Sequence, residues 1–171
     1  MPHIFPIALV VLQLHNFAGA PPAIVDRAER ELTRVYGDIG VRVAWDRADG
    51  RADARAAVRI ILVEREAGDR RRTPHPVMGA TIWTDQGTPV VYVFYRRVEA
   101  EAERHRVSIA LVLACALAHE VGHVLMPDSG HSQEGLMRAC WNGDDFHSAD
   151  RGQLRFIPSQ VARLRASGAP P

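Results

Sequence analysis

Two histidines four residues apart, His119 and His123, flank Glu120 in the pentapeptide HEVGH. On a helix, positions four apart lie on one face, so both imidazoles project the same way. At that separation two ring nitrogens reach a single zinc ion, each at about 2.0–2.1 Å. Glu120 follows the first histidine and points beside the metal. There it can take a proton from a water activated by the ion and pass it to a leaving amine. The plainer alternative, two satisfied core histidines, would require other polar partners for a buried imidazole pair. The chemistry this spacing offers is metal-assisted hydrolysis, with Glu120 as general base.

A catalytic zinc needs a third protein ligand and an open position. Downstream lie Asp128, His131, Glu134, Asp144, Asp145 and His147. Pro127 must end the helix soon after His123. The segment Pro127-Asp128-Ser129-Gly130 is rich in turn residues, and a positive φ at Gly130 would fold the chain back. That path favours His131 as the third ligand. Asp128 lies too near the helix end to swing round, and His147 reads as a loop residue without a metal role.

The elements that must position these residues follow from periodicity. Phe5 to Leu14 is an apolar run rich in Val, Ile and Leu and reads as a buried strand. Its rival is a leader segment, since Ala18-Gly19-Ala20 resembles a signal-peptidase site, but the first residues carry no Lys or Arg. Pro21 and Pro22 suit the first turn of a helix, with Ile24, Val25, Ala28, Leu32, Val35 and Tyr36 on one face and Gly37 and Gly40 at its end. Val41 to Trp45, Val58 to Val63, Val77 to Trp83 and Val90 to Tyr95 read as strands. The stretches from Asp46 to Arg55 and from Glu64 to Pro76 read as loops. Helical pattern resumes at Glu99. Ser108 then caps a second segment running to Leu125, so the active-site helix spans about 108–126. It is apolar nearly all round from Ile109 to Ala118, as a buried helix is. Loop follows, then a short helix from about Ser159 to Arg165 and a frayed tail over 167–171. The expected fold class is α+β: a twisted mixed β-sheet of about five strands, an N-terminal helix, a buried active-site helix and a short C-terminal helix, in one domain over 1–171.

Bulk properties narrow the partners. With 21 basic and 20 acidic residues the formal net charge is +1, so nothing points to a polyanionic partner. The run Arg70-Arg71-Arg72 has no aromatic residues interleaved and reads as a solvated loop, not a nucleic-acid surface. No apolar run approaches the roughly 20 residues of a membrane span. Cys115 and Cys140 form no CxxC pair; two buried thiols is the expectation, one bridge the alternative.

The segment HEVGHVLMPDSGHSQEGLM, from His119 to Met137, resembles the zincin metallopeptidases, and among them the matrixin-like branch of the metzincins, which carry HExxHxxGxxH followed by a Met-turn. The chain is also similar to small uncharacterised bacterial zincin-like proteins. The resemblance implies a zinc endopeptidase acting on a peptide or protein. His119, His123 and His131 would be zinc ligands, Glu120 the base, and Met137, in a Met-turn at about 135–138, a hydrophobic floor under the metal. It further implies an antiparallel edge strand, here at Gly79, Ala80, Thr81 and Ile82, that pairs with the substrate backbone, and a secreted or periplasmic setting. The departure is one of spacing: His131 follows His123 by eight positions instead of six, and Met126 stands where the family has glycine. The three tyrosines, Tyr36, Tyr92 and Tyr95, all precede the motif, so no tyrosine ligand follows the Met-turn. Two other functions fit the fold: a zinc-holding module that cleaves nothing, whose mark would be loss of the base, and a hydrolase of non-peptide amides. The sequence carries no cue to oligomeric state.

Overall fold

The computed structural model describes residues 9–46, 58–65 and 77–167. Five strands form one sheet in the order β2-β1-β3-β5-β4. They are β1 (Leu9–Asn16), β2 (Arg42–Trp45), β3 (Val58–Val63), β4 (Gly79–Trp83) and β5 (Pro89–Phe94). Neighbours pair in parallel except β4, which runs antiparallel to β5 and ends the sheet. Parallel strands are covered by crossover segments and read as near-continuous apolar runs; β1 (LVVLQLHN) and β3 (VRIILV) have that character. Helices α1 (Pro22–Gly37), α2 (Tyr95–His105), α3 (Ile109–Leu125), α4 (Gly143–Asp150) and α5 (Pro158–Ser167) complete the described chain. The mixed sheet with its helices is the α+β class expected.

Helix α3 is the element that matters most. Every residue from Ala110 to Gly122 is buried, because the helix lies between α1 on one side and β4, β5 and α2 on others. The sheet offers it Leu12, Ile60, Leu62, Val91 and Val93, all fully buried. Tyr36, near the end of α1, is wholly buried and its hydroxyl donates to the Ala118 carbonyl at 2.8 Å. That bond ties α1 to α3 one residue before His119. Burial pushes the Tyr36 phenol well above its ordinary value, so it remains a donor.

Several expectations are corrected. Strand β1 ends at Asn16, two residues beyond the expected Leu14, and it sits between β2 and β3 as part of the fold; residues 5–8 lie outside the described residues. Helix α2 starts at Tyr95, not Glu99, because Tyr95, Val98 and Ala102 already make a buried helical stripe. The Ser108 side chain makes no cap hydrogen bond, although its backbone stands at the cap position. The stretch expected to be loop before the last helix contains α4, and His147 lies on it. Cys115 is buried but Cys140 is exposed, and neither is bridged. The run Arg70-Arg71-Arg72, most of both predicted loops and the tail beyond Ser167 fall outside the described residues. Among the described residues, no helix is long and apolar enough to cross a membrane.

Candidate metal centre

His119 and His123 stand one turn apart at the C-terminal end of α3, with Glu120 between them. His119 and Glu120 are buried and His123 is half-buried. The helix stops at Leu125, ahead of Pro127, and the Ser129 N–H closes a turn on the Met126 carbonyl at 2.9 Å. The chain then returns along an extended path, where Ser132 N–H donates to the Met137 carbonyl at 2.9 Å. His131, exposed, is thereby carried back over His123. Gly130 is not among the glycines with positive φ, so the expected left-handed turn there is absent. The left-handed residue is Gly135, at φ 74°.

The three side chains converge. His123 Nε2 lies 3.1 Å from His119 Nε2 and 3.2 Å from His131 Nε2. All three ligand atoms fall within 4.8 Å of one another. One imidazole nitrogen carries at most one proton, so His123 cannot satisfy both neighbours as a donor. A metal ion can. Two nitrogens at tetrahedral angles around an ion, each at the usual distance, stand about 3.3 Å apart, close to the spacing found here. The donor chemistry agrees, since burial first, with the two neighbouring rings, holds His119 down at about 4 against the opposing Leu136 bond. His123 is lowered by burial and then by His131. Neutral imidazoles offer lone pairs, which is what a metal requires.

The turn after His131 fixes the first histidine from behind. His119 Nδ1–H donates to the Leu136 carbonyl at 2.8 Å, which sets the tautomer and leaves Nε2 as acceptor. Leu136 is held in turn, its N–H donating to the Arg155 carbonyl at 2.7 Å. Trp141 Nε1 shares the same Leu136 carbonyl at 3.3 Å, and its ring stands edge-on to His119 with centroids 6.2 Å apart. Met137 is fully buried against the helix at Gly122, where an added Cβ would meet the Met137 sulfur at 2.7 Å. The second x of HExxH is therefore a glycine that lets Met137 pack closely against α3.

Glu120 faces the sheet edge. Burial pushes its carboxyl up to about 7, partly offset by the Thr81 hydroxyl. Thr81 Oγ1 lies 2.8 Å from Glu120 Oε2 and 3.0 Å from the Glu120 carbonyl oxygen. Gly79, two residues earlier on the same strand face, has Glu120 Cγ and Oε1 so close that an added Cβ would meet them at 2.7 and 2.8 Å. Trp83, on the strand face of Gly79 and Thr81, is 50% exposed, and Ile82, on the opposite face, is 46% exposed. The other candidate ligands do not converge on the histidines. Asp145 accepts from Asn142 N–H at 2.9 Å and pairs with Arg138 at 3.0 Å, capping α4. Among the described residues, His119, His123 and His131 are the cluster able to hold a metal. Leu136 and Thr81's side-chain role escaped sequence reasoning: a carbonyl partner leaves no mark on residue type, and Thr81 is 39 positions from Glu120.

No protein-family model matches the sequence, and no curated protein matches it. Solved structures do share its fold. Metalloproteinase-II from Bacteroides fragilis superposes with a TM-score of 0.57 at 10% identity, over 97% of this chain and 55% of that one. The chain thus spans about half the length of that metalloproteinase. The GM1-bound form of the ECX AB5 holotoxin matches with a TM-score of 0.48 at 13% identity, over 95% of this chain and 80% of that one. The fold is thus shared with that metalloproteinase, and the three-histidine cluster lies within it.

Proposed function

We propose that the chain is a zinc-dependent metallopeptidase of metzincin-like type. The observation that carries this is the convergence of three imidazole nitrogens, at 3.1 and 3.2 Å, with a buried carboxylate from the intervening Glu120. Three nitrogen donors suit zinc among the abundant divalent ions, although affinity alone does not select it. His119, His123 and His131 hold the ion, and Leu136 orients His119. When bound, zinc supplies Lewis-acid chemistry, polarising the scissile carbonyl and acidifying a water. Glu120 accepts the proton of the attacking water and returns it to the leaving amine. Met137 gives the histidines a rigid apolar floor. The bulge of two extra residues before His131 is absorbed by the turn at Met126–Ser129.

Strand β4 gives the substrate its place. It is the edge of the sheet, paired only with β5 among the described residues, so the outer backbone of Gly79, Ala80, Thr81 and Ile82 is a template for an extended peptide. Such a peptide would lie across the mouth of the histidine cluster, on the strand face where Trp83 is exposed. The metalloproteinase-like fold agrees with this reading. Digestion of a broad peptide library by the zinc-loaded chain tests it. Glu120→Gln should retain zinc and fold while turnover drops by about 10²-fold or more. Wild-type rates in that variant would remove Glu120 from the mechanism.

A further inference from the structure

The edge strand does more than offer backbone. Its Thr81 reaches inward to the Glu120 carboxylate beside the histidines, and its Gly79 makes room for that carboxylate's other side. Thr81 Oγ1 approaches both Glu120 Oε2, at 2.8 Å, and the Glu120 main-chain oxygen, at 3.0 Å. A hydroxyl has a single proton to donate. The carboxylate is the stronger acceptor when ionised, so the proton points at Oε2 and the Glu120 carbonyl is the weaker branch of a bifurcated bond. Gly79 lies so close that the Glu120 side chain is flat against the strand, between Gly79 and Thr81. The tolerance is narrow, since the Tyr92 carbonyl of β5 would also meet a Gly79 Cβ, at 2.9 Å. Strand, carboxylate and helix are thus locked in one arrangement.

We infer that Thr81 is a positioning residue: its hydroxyl holds the Glu120 carboxylate in a single orientation at the mouth of the histidine cluster, and so couples the edge strand to the general base. The inference rests on the peptidase reading for its catalytic meaning, but the contact itself is independent of it. A peptide pairing with β4 would stiffen the strand that carries Thr81, and through the hydroxyl the carboxylate too. Orientation of a base is worth most in the transition state, so its loss should appear in kcat more than in KM.

Two measurements test this. Thr81→Val keeps the shape and the strand preference and deletes only the hydroxyl. The zinc-loaded variant should keep its metal, with kcat on a fluorogenic peptide found by the library digest lowered by about tenfold or more and KM within about twofold. Thr81→Ser, which restores the hydroxyl, should recover most of the loss. Independently of activity, a double-mutant cycle of Thr81→Val and Glu120→Ala is read by denaturant unfolding of the full chain. The double variant's unfolding constant should depart from the product of the single effects by about fivefold, the size of one net hydrogen bond. Multiplicative effects within error would overturn the inference, as would a Thr81→Val enzyme with wild-type kcat. If the wild type cleaves no peptide yet the cycle shows coupling, the peptidase reading falls and the Thr81–Glu120 lock stands.

Discussion

Gly135→Ala tests whether the turn beneath the histidines is as tightly specified as its geometry implies. Gly135 has φ 74°, and an added Cβ would stand 2.6 Å from the Arg155 carbonyl oxygen and 3.1 Å from Ile157 Cγ2. The left-handed backbone alone costs alanine about 1–2 kcal/mol. The contact adds about 1–3 kcal/mol, as overpacking does. The Arg155 oxygen has nowhere to retreat, because it also accepts the Leu136 N–H at 2.7 Å. Moving it loosens Leu136, whose own carbonyl fixes His119 at 2.8 Å. Gly87 is the control: its φ is 73°, and nothing lies within 4 Å of an added Cβ. Gly87→Ala should therefore cost only the backbone part, about 1–2 kcal/mol. Gly135→Ala should cost about 2–5 kcal/mol, a further melting-temperature drop of roughly 2–12 °C in a domain of this size. Thermal and denaturant unfolding of both metal-free variants measure the difference. Zinc affinity, by competition with a chelating dye, should fall by about tenfold or more in Gly135→Ala, the usual loss when a ligand's supporting bond is disturbed, and hold in Gly87→Ala. Equal costs for the two substitutions, or unchanged affinity in Gly135→Ala, would show that the Arg155–Leu136 contact does not constrain the turn.

Two other outcomes follow from single contacts. Tyr36→Phe should destabilise the chain by about 1 kcal/mol, the net worth of a buried hydrogen bond, with zinc affinity unchanged; chemical denaturation and the dye assay check both. A thiol-reactive reagent should modify one cysteine rapidly in the folded chain, the exposed Cys140, whereas Cys115, buried and pushed up to about 12 by that burial, should react only on unfolding. Mass spectrometry of the labelled peptides decides.

The parts legible in the sequence are those with strong local signatures. The spacing of His119 and His123 requires one helical face, and the all-round apolar run before them requires a buried helix; α3 has both properties. The strands from Val58 and Val90 were legible from β-branched density. Helix α4 was not, because GDDFHSAD buries only Phe146 and Ala149, too few for a periodic signal. Its one cue was Asn142 three residues before Asp145, which form a reciprocal cap. The start of α2 was hidden because Phe94 and Tyr95 continue the aromatic character of β5, and strand and helix preferences overlap for such residues. The turn residues at 127–130 do mark where the chain turns back to His131, at Met126–Ser129, but the left-handed glycine expected at Gly130 is instead Gly135, after His131 and one position before the carbonyl that holds His119. Contacts across long separations, such as Thr81 with Glu120, have no local signature at all.

The proposed function stands on His119, His123 and His131 together holding one metal ion. The most direct measurement is an equilibrium zinc titration of the wild type against His131→Ala, with Asp128→Ala, Glu134→Ala and Asp145→Ala alongside. The wild-type chain should bind about one zinc. His131→Ala should weaken binding by at least about tenfold, and the three carboxylate variants should leave affinity nearly intact. A His131→Ala chain that binds zinc as tightly as the wild type, while one carboxylate variant loses it, would contradict the three-histidine site and with it the metzincin-like reading.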